Sequence, residues 1–118
     1  MMCFEDLEAW QFARAQVLAV YGLCEGDPLS RDFGLKDQIQ RSSVSVMTNI
    51  AEGFERTGNK EKLHFYNIAR ASCGETRSLL YVVTDVYPSL SEQSDAIRLE
   101  SVRVGKVISG LIRSTRES

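Results

Sequence analysis

The amino-acid sequence predicts an all-α protein, an up-down-up-down antiparallel four-helix bundle forming a single domain over residues 1–118. Three observations carry that expectation. Apolar residues recur every three or four positions along four separate stretches, the spacing that gathers them on one face of a helix. Short segments holding Gly, Pro, Asp and Asn part the stretches. No run alternates polar with apolar residues as a half-buried strand does.

The first helix is expected over about 4–24, with Leu7, Trp10, Ala13, Val17, Val20 and Cys24 on its stripe. Glu5, Asp6 and Glu8 suit the positive end of its dipole, and Trp10 reads as a core anchor. Gly22, Gly26, Asp27 and Pro28 end it. The second helix, about 33–57, starts at an Asp32 cap and carries Leu35, Ile39, Ser42, Val46, Ile50 and Phe54 inward. Thr57-Gly58-Asn59 then makes a tight connection, with Gly58 as a left-handed stop and Asn59 as the next cap. A link this short implies an antiparallel hairpin of helices. The third helix, about 60–87, has Leu63, Tyr66, Ala69, Cys73, Thr76, Leu80, Val83 and Tyr87 on one stripe, widened by Leu79, Val82 and Val86 into an end that is deeply buried or shared with a partner. Pro88 stops it. Ser89 and Glu92 have capping-box spacing and open a fourth helix over about 90–114, striped by Ile97, Val104, Ile108, Leu111 and Ile112, with a frayed end.

Composition excludes several classes of function. A formal charge of −2 gives no general attraction to nucleic acid or to an anionic membrane, so either would require a local patch. Three widely spaced cysteines without a Cys-x-x-Cys pair suggest neither a disulfide framework nor a zinc site. They read as free thiols in a reducing cytoplasm, and the start of the chain lacks a signal peptide's basic and apolar regions. No run of apolar residues is long enough to span a bilayer, so a cytoplasmic, soluble protein without membrane partners is expected. One histidine rules out the paired Glu-x-x-His motifs of di-iron bundles, and no glycine-rich phosphate loop is present. No cofactor or metal is therefore expected.

Two constellations remain. Arg41, Ser45, Asn49 and Glu52 share a face of the second helix beside its apolar stripe. In a hairpin symmetric about Gly58, Arg41 should approach Glu75, Ser45 should approach Arg70 and Ala71, Asn49 should meet Asn67, and Glu52 should meet His64. An arginine and a glutamate brought together satisfy each other, so these residues, with Arg70 and Glu75, read as a polar seam fixing helix register or a subunit interface. The alternative is a small-molecule or catalytic cleft using Glu52 and His64, although the spacing implies no nucleophile; Cys73 falls on the apolar stripe as a core residue. The second constellation is basic. Arg98, Arg103, Lys106, Arg113 and Arg116 fall within roughly 140 degrees on the fourth helix at about 100 degrees per residue, a face able to track RNA or DNA phosphates.

Asp6-Leu7-Glu8-Ala9-Trp10, Leu35-Lys36-Asp37-Gln38-Ile39-Gln40-Arg41, Asn49-Ile50-Ala51-Glu52-Gly53 and Tyr66-Asn67-Ile68-Ala69-Arg70-Ala71-Ser72 with Glu75 together resemble the four-helix bundle proteins named for 23S ribosomal RNA intervening sequences. The resemblance implies a non-enzymatic homo-oligomer, a pentameric ring, similar to the accessory variability determinant proteins of diversity-generating retroelements. Those proteins associate with a reverse transcriptase and with nucleic acid. A purely structural helical assembly is the bland alternative. The chain departs from the family pattern at Met47, where a proline would kink the second helix; at Ala71, where a glycine would allow close approach; and at Cys73 and Thr76, which replace larger apolar residues.

Overall fold

Each periodic stretch is a helix. The computed structural model describes residues 3–118, leaving Met1 and Met2 of the expected domain outside it. It contains α1 (Glu8–Cys24), α2 (Phe33–Phe54), α3 (Asn59–Val86) and α4 (Ser91–Glu117), with no strand among the described residues. Single 3-10 turns, Phe4–Asp6, Leu29–Arg31 and Pro88–Leu90, lead into α1, α2 and α4. The four helices lie side by side in a bundle 46 × 21 × 20 Å, each packed on the next in sequence and α1 closing onto α4.

The helix ends obey local chemistry, and several differ from the sequence expectation. Asp32 caps α2 as expected: its Oδ1 accepts from the Leu35 amide at 3.2 Å. Its Oδ2 accepts from the Tyr87 hydroxyl at 2.7 Å, tying the start of α2 to the end of α3. The capping box at Ser89 does not form, because Pro88–Leu90 is a 3-10 turn and α4 begins at Ser91 without a side-chain cap. Gly58 is no left-handed stop: it is extended, at φ −98° and ψ 146°, and itself precedes α3. Asn59 is the first residue of α3, where its Nδ2 donates to the Thr115 carbonyl at 3.2 Å. That bond anchors the end of α4, which is helical to Glu117 instead of fraying. α2 runs unbroken through Met47, where the restored amide leaves no proline kink.

The core has two apolar parts. One joins Trp10, Ala13, Val46, Ile50, Tyr66, Ala69, Val104, Ile108 and Ile112. The other joins Val20, Leu23, Leu29, Ile39, Leu80, Val83 and Ile97. Between the two parts, every helix buries a polar residue: Gln16 on α1, Ser42 and Ser43 on α2, Thr76 on α3 and Ser101 on α4. Most are satisfied. Ser42 Oγ bonds Thr76 Oγ1 at 2.9 Å and the Ile39 carbonyl at 3.1 Å, and Ser43 Oγ donates to the Gln40 carbonyl at 3.0 Å. The Cys73 thiol donates to the Ser101 carbonyl at 3.4 Å. Cys73 and Thr76 thus take polar contacts in place of the larger apolar residues expected of the family, while Ala71 is exposed and adds no crowding. The widened end of the α3 stripe is only partly covered: Leu79 is buried, whereas Val82 and Val86 face solvent.

Candidate nucleic-acid interface

Helices α2 and α3 are joined by a hydroxyl seam rather than by charges. Ser45 Oγ and Ser72 Oγ lie 2.8 Å apart, in line with the Ser42–Thr76 pair. Asn49 Nδ2 turns back along α2 to the Ser45 carbonyl at 2.8 Å and to Ser45 Oγ at 3.0 Å, not across to Asn67. Arg41 and Glu75 line the same groove between the helices, but among the described residues they form no ion pair. The expected Arg41–Glu75 bridge is therefore corrected to a shared exposed groove. The reason is geometric. Side chains lean toward the N-terminus of their own helix, so on antiparallel helices they meet about one residue later on each than backbone levels imply. Ser45 accordingly reaches Ser72 instead of Arg70 and Ala71.

Glu52 and His64 do not form a cleft. Glu52 pairs with Arg56 one turn along its own chain, and the Arg56 guanidinium lies over the Phe65 ring at 4.7 Å. His64 meets the edge of Phe65 and shares a shallow groove with Lys60 and Glu61 instead. Glu52 is spent on a surface ion pair with Arg56.

A groove of about 760 Å³ lies between α3 and α4. Arg70 and Arg77 of α3 face Lys106 and Arg113 of α4 across it, and no acidic residue lines it. Among the described residues none of the four cations lies within 4.0 Å of a carboxylate. Arg70 makes one neutral bond, from Nη2 to Asn67 Oδ1 at 3.0 Å, so it belongs to this groove and not to the hydroxyl seam. Small residues keep the floor open: a Cβ at Gly105 would meet Arg77 Nη1 only at 3.8 Å and Cys73 Sγ at 3.9 Å. Burial pushes the Cys73 thiol above its ordinary pKa, with Ser101 and Arg77 offsetting part of the rise, so the floor holds a thiol and not a thiolate.

The single basic face expected on α4 is divided. Lys106 and Arg113 enter the groove, where α3 contributes two arginines that the α4 reading did not include. Arg98 is held against α3, its guanidinium over the Tyr81 ring at 4.6 Å, Nη1 bonded to the Tyr81 hydroxyl and Nη2 3.8 Å from Asp95. Arg103 turns to α1, over the Phe12 ring at 5.2 Å and 3.6 Å from Glu100. Arg116 is exposed on the last turn, outside the groove. The signal for the α3 arginines was present in their spacing of seven, which puts both on one helix face.

Residues 5–110 match the family described as 23S rRNA-intervening sequence protein. The chain belongs to that family. Its Asn-Ile-Ala-Glu-Gly stretch runs through the last turns of α2, beside the hydroxyl seam, and its Gly53 backs directly onto the ring of Tyr66. No curated protein matches the chain. In structure, this intervening-sequence family member is similar to a protein with unknown function from the S23 ribosomal protein family of Bacteroides thetaiotaomicron VPI-5482. The two share a TM-score of 0.81 and 20% identity over 89% of this chain and 95% of the other, a likeness of fold. No helix of the family member is long and apolar enough to cross a membrane.

Proposed function

We propose that this family member is a non-enzymatic, homo-oligomeric accessory module that binds nucleic acid along the α3/α4 groove. One observation carries the reading: four cations converge on a groove with no acid in its lining, on a chain whose overall charge is −2. Attraction to a polyanion is then local to that groove. The arginine forks of Arg70, Arg77 and Arg113 suit phosphate oxygens in pairs, and Lys106 adds a point charge. Oligomerisation, as the pentameric ring the resemblance implies, would repeat the groove and multiply weak phosphate contacts into avidity. Exposed Leu18 and Leu99 supply apolar surface for such assembly. A module of this kind would serve a nucleic-acid enzyme such as a reverse transcriptase in the cytoplasm, holding template without performing chemistry.

Fluorescence anisotropy with a labelled RNA hairpin tests the reading. With about four phosphate contacts, affinity should fall about 100-fold between 50 and 200 mM salt. Arg77→Glu with Lys106→Glu should abolish binding and leave the melting temperature near that of the parent. Absence of binding at 50 mM salt, or affinity unmoved by salt or by the double charge reversal, refutes the nucleic-acid reading. A monomer by light scattering at micromolar concentration refutes the oligomer.

A further inference from the structure

No aromatic side chain lines the basic groove, but one stands at its end. At about 100 degrees per residue, Arg70, Gly74, Arg77 and Tyr81 fall within about 60 degrees on one face of α3. Arg98, Val102, Gly105 and Ser109 do the same on α4. Tyr81 and Arg98 therefore carry both walls one turn, about 6 Å, past the residues that line the groove. There the walls meet. The Arg98 guanidinium lies over the Tyr81 ring at 4.6 Å, and its Nη1 donates to the Tyr81 hydroxyl at 3.2 Å. Arg98 is placed in turn by Asp95, 3.8 Å from its Nη2, and Asp95 accepts from the Thr84 hydroxyl at 2.9 Å. The ring is thus held from α4, yet Tyr81 keeps 51% of its surface exposed. With a guanidinium on one face, the surface open to a ligand is the other face and the edge.

We propose that the ligand of this side of the bundle is a single strand of nucleic acid, its phosphates along the groove and one base stacked on the face of Tyr81 that Arg98 leaves free. The inference rests on the phosphate reading of the groove and adds to it a class of strand and a base-contacting residue. Every base has a π-face, so an exposed ring selects unpaired bases without selecting sequence. A duplex keeps its bases stacked on one another and offers phosphates and groove edges instead, so Tyr81 gains nothing from it. Arg98 makes the ring a prepared platform, because a side chain already fixed loses little freedom when a base settles on it. Exposed Asp85, one turn beyond Tyr81 on α3, ends the positive surface, so the strand meets the ring where its track of cations stops.

Fluorescence anisotropy of the full chain at about 50 mM salt tests the assignment with two labelled probes, a short oligothymidylate and an abasic strand of equal phosphate count. The thymidylate should bind about tenfold more tightly than the abasic strand, the difference being one stacked base. Tyr81→Leu should bring the thymidylate down to the abasic level, leaving abasic affinity, the salt dependence of both and the melting temperature unchanged. Tyr81→Phe keeps the ring and should restore the preference. A 2-aminopurine in the strand should lose fluorescence on binding to the parent and keep it with Tyr81→Leu. Binding of a fully paired duplex should not respond to Tyr81→Leu. Equal affinity for the two strands, an equal loss for both in Tyr81→Leu, or a changed oligomer mass in Tyr81→Leu showing that the ring serves a subunit contact, each overturns the platform while salt-dependent abasic binding upholds the groove. Absence of binding by either strand refutes the groove, and the platform with it.

Discussion

Adding one methyl group at Gly53 should destabilise the bundle, although alanine is the better helix former. A Cβ there would stand 2.6 Å from Tyr66 Cε1, 2.8 Å from Tyr66 Cδ1 and 3.2 Å from the Lys62 carbonyl oxygen. Carbon atoms settle at about 3.5–4.0 Å, so the ring would have to retreat by roughly 1 Å. Tyr66 is 2% exposed, in the same core cluster as Ile50, Ala69 and Ile112. Overpacking of this kind costs about 1–3 kcal/mol. The helix-propensity gain from Gly to Ala is at most about 1 kcal/mol, and smaller in the last turn of α2. The net loss for Gly53→Ala is therefore about 1–2 kcal/mol, or a fall in melting temperature of about 4–10 °C for a domain of this size. Far-UV circular dichroism melts measure it. The matched control is Gly110→Ala in α4, where a Cβ meets nothing within 4 Å and the variant should melt above the parent. A Gly53→Ala protein melting at or above the parent would refute the close-packing argument, since propensity would then have outweighed contact.

In a double-mutant cycle on the buried hydroxyl pair, Ser42→Ala and Thr76→Val should each cost about 1 kcal/mol, and the double variant less than their sum, by chemical denaturation. The Tyr87 hydroxyl and the Leu35 amide hold the Asp32 carboxyl below its ordinary pKa of 3.8. A folded-state value below the unfolded one gives stability that is present above about pH 4 and lost as pH falls through the lowered value. Tyr87→Phe should therefore lower the melting temperature most near neutral pH, and the gap to the parent should close in acid; a gap constant with pH would count against the bond. All three thiols lie above their ordinary pKa, Cys3 through its bond to Asp6 and Cys24 and Cys73 through burial, so exposure decides: iodoacetamide read by mass spectrometry should modify half-exposed Cys3 first and the other two only on unfolding.

Periodicity made the bundle legible because all four helices bury one stripe against a common core. Asp32 was legible as a cap because its chemistry is local, needing only the amide of Leu35. Ser89 and Glu92 met the same local pattern and failed, since Pro88 starts a 3-10 turn that moves the helix start to Ser91. The α2/α3 hairpin was legible to within a residue or two, and that small shift separated Arg41 from Glu75 as an ion pair while bringing Ser45 to Ser72. The α3/α4 groove was half legible: Lys106 and Arg113 were visible on α4, but their convergence with Arg70 and Arg77 depends on packing between helices. Gln16 left no trace in the sequence, for it sits beside the apolar stripe of α1 where a glutamine ordinarily reaches solvent.

The seam between α2 and α3 joins neutral hydroxyl groups, Ser42 to Thr76 and Ser45 to Ser72, and carries no net charge. Counterions do not compete with such bonds, and no proton is gained or lost by them across ordinary laboratory buffers. The attraction proposed for the α3/α4 groove is of the opposite kind, between charges that salt screens. If the groove takes a polyanion as proposed, molar salt should rinse it away while the helices hold their alignment, so that release requires no refolding.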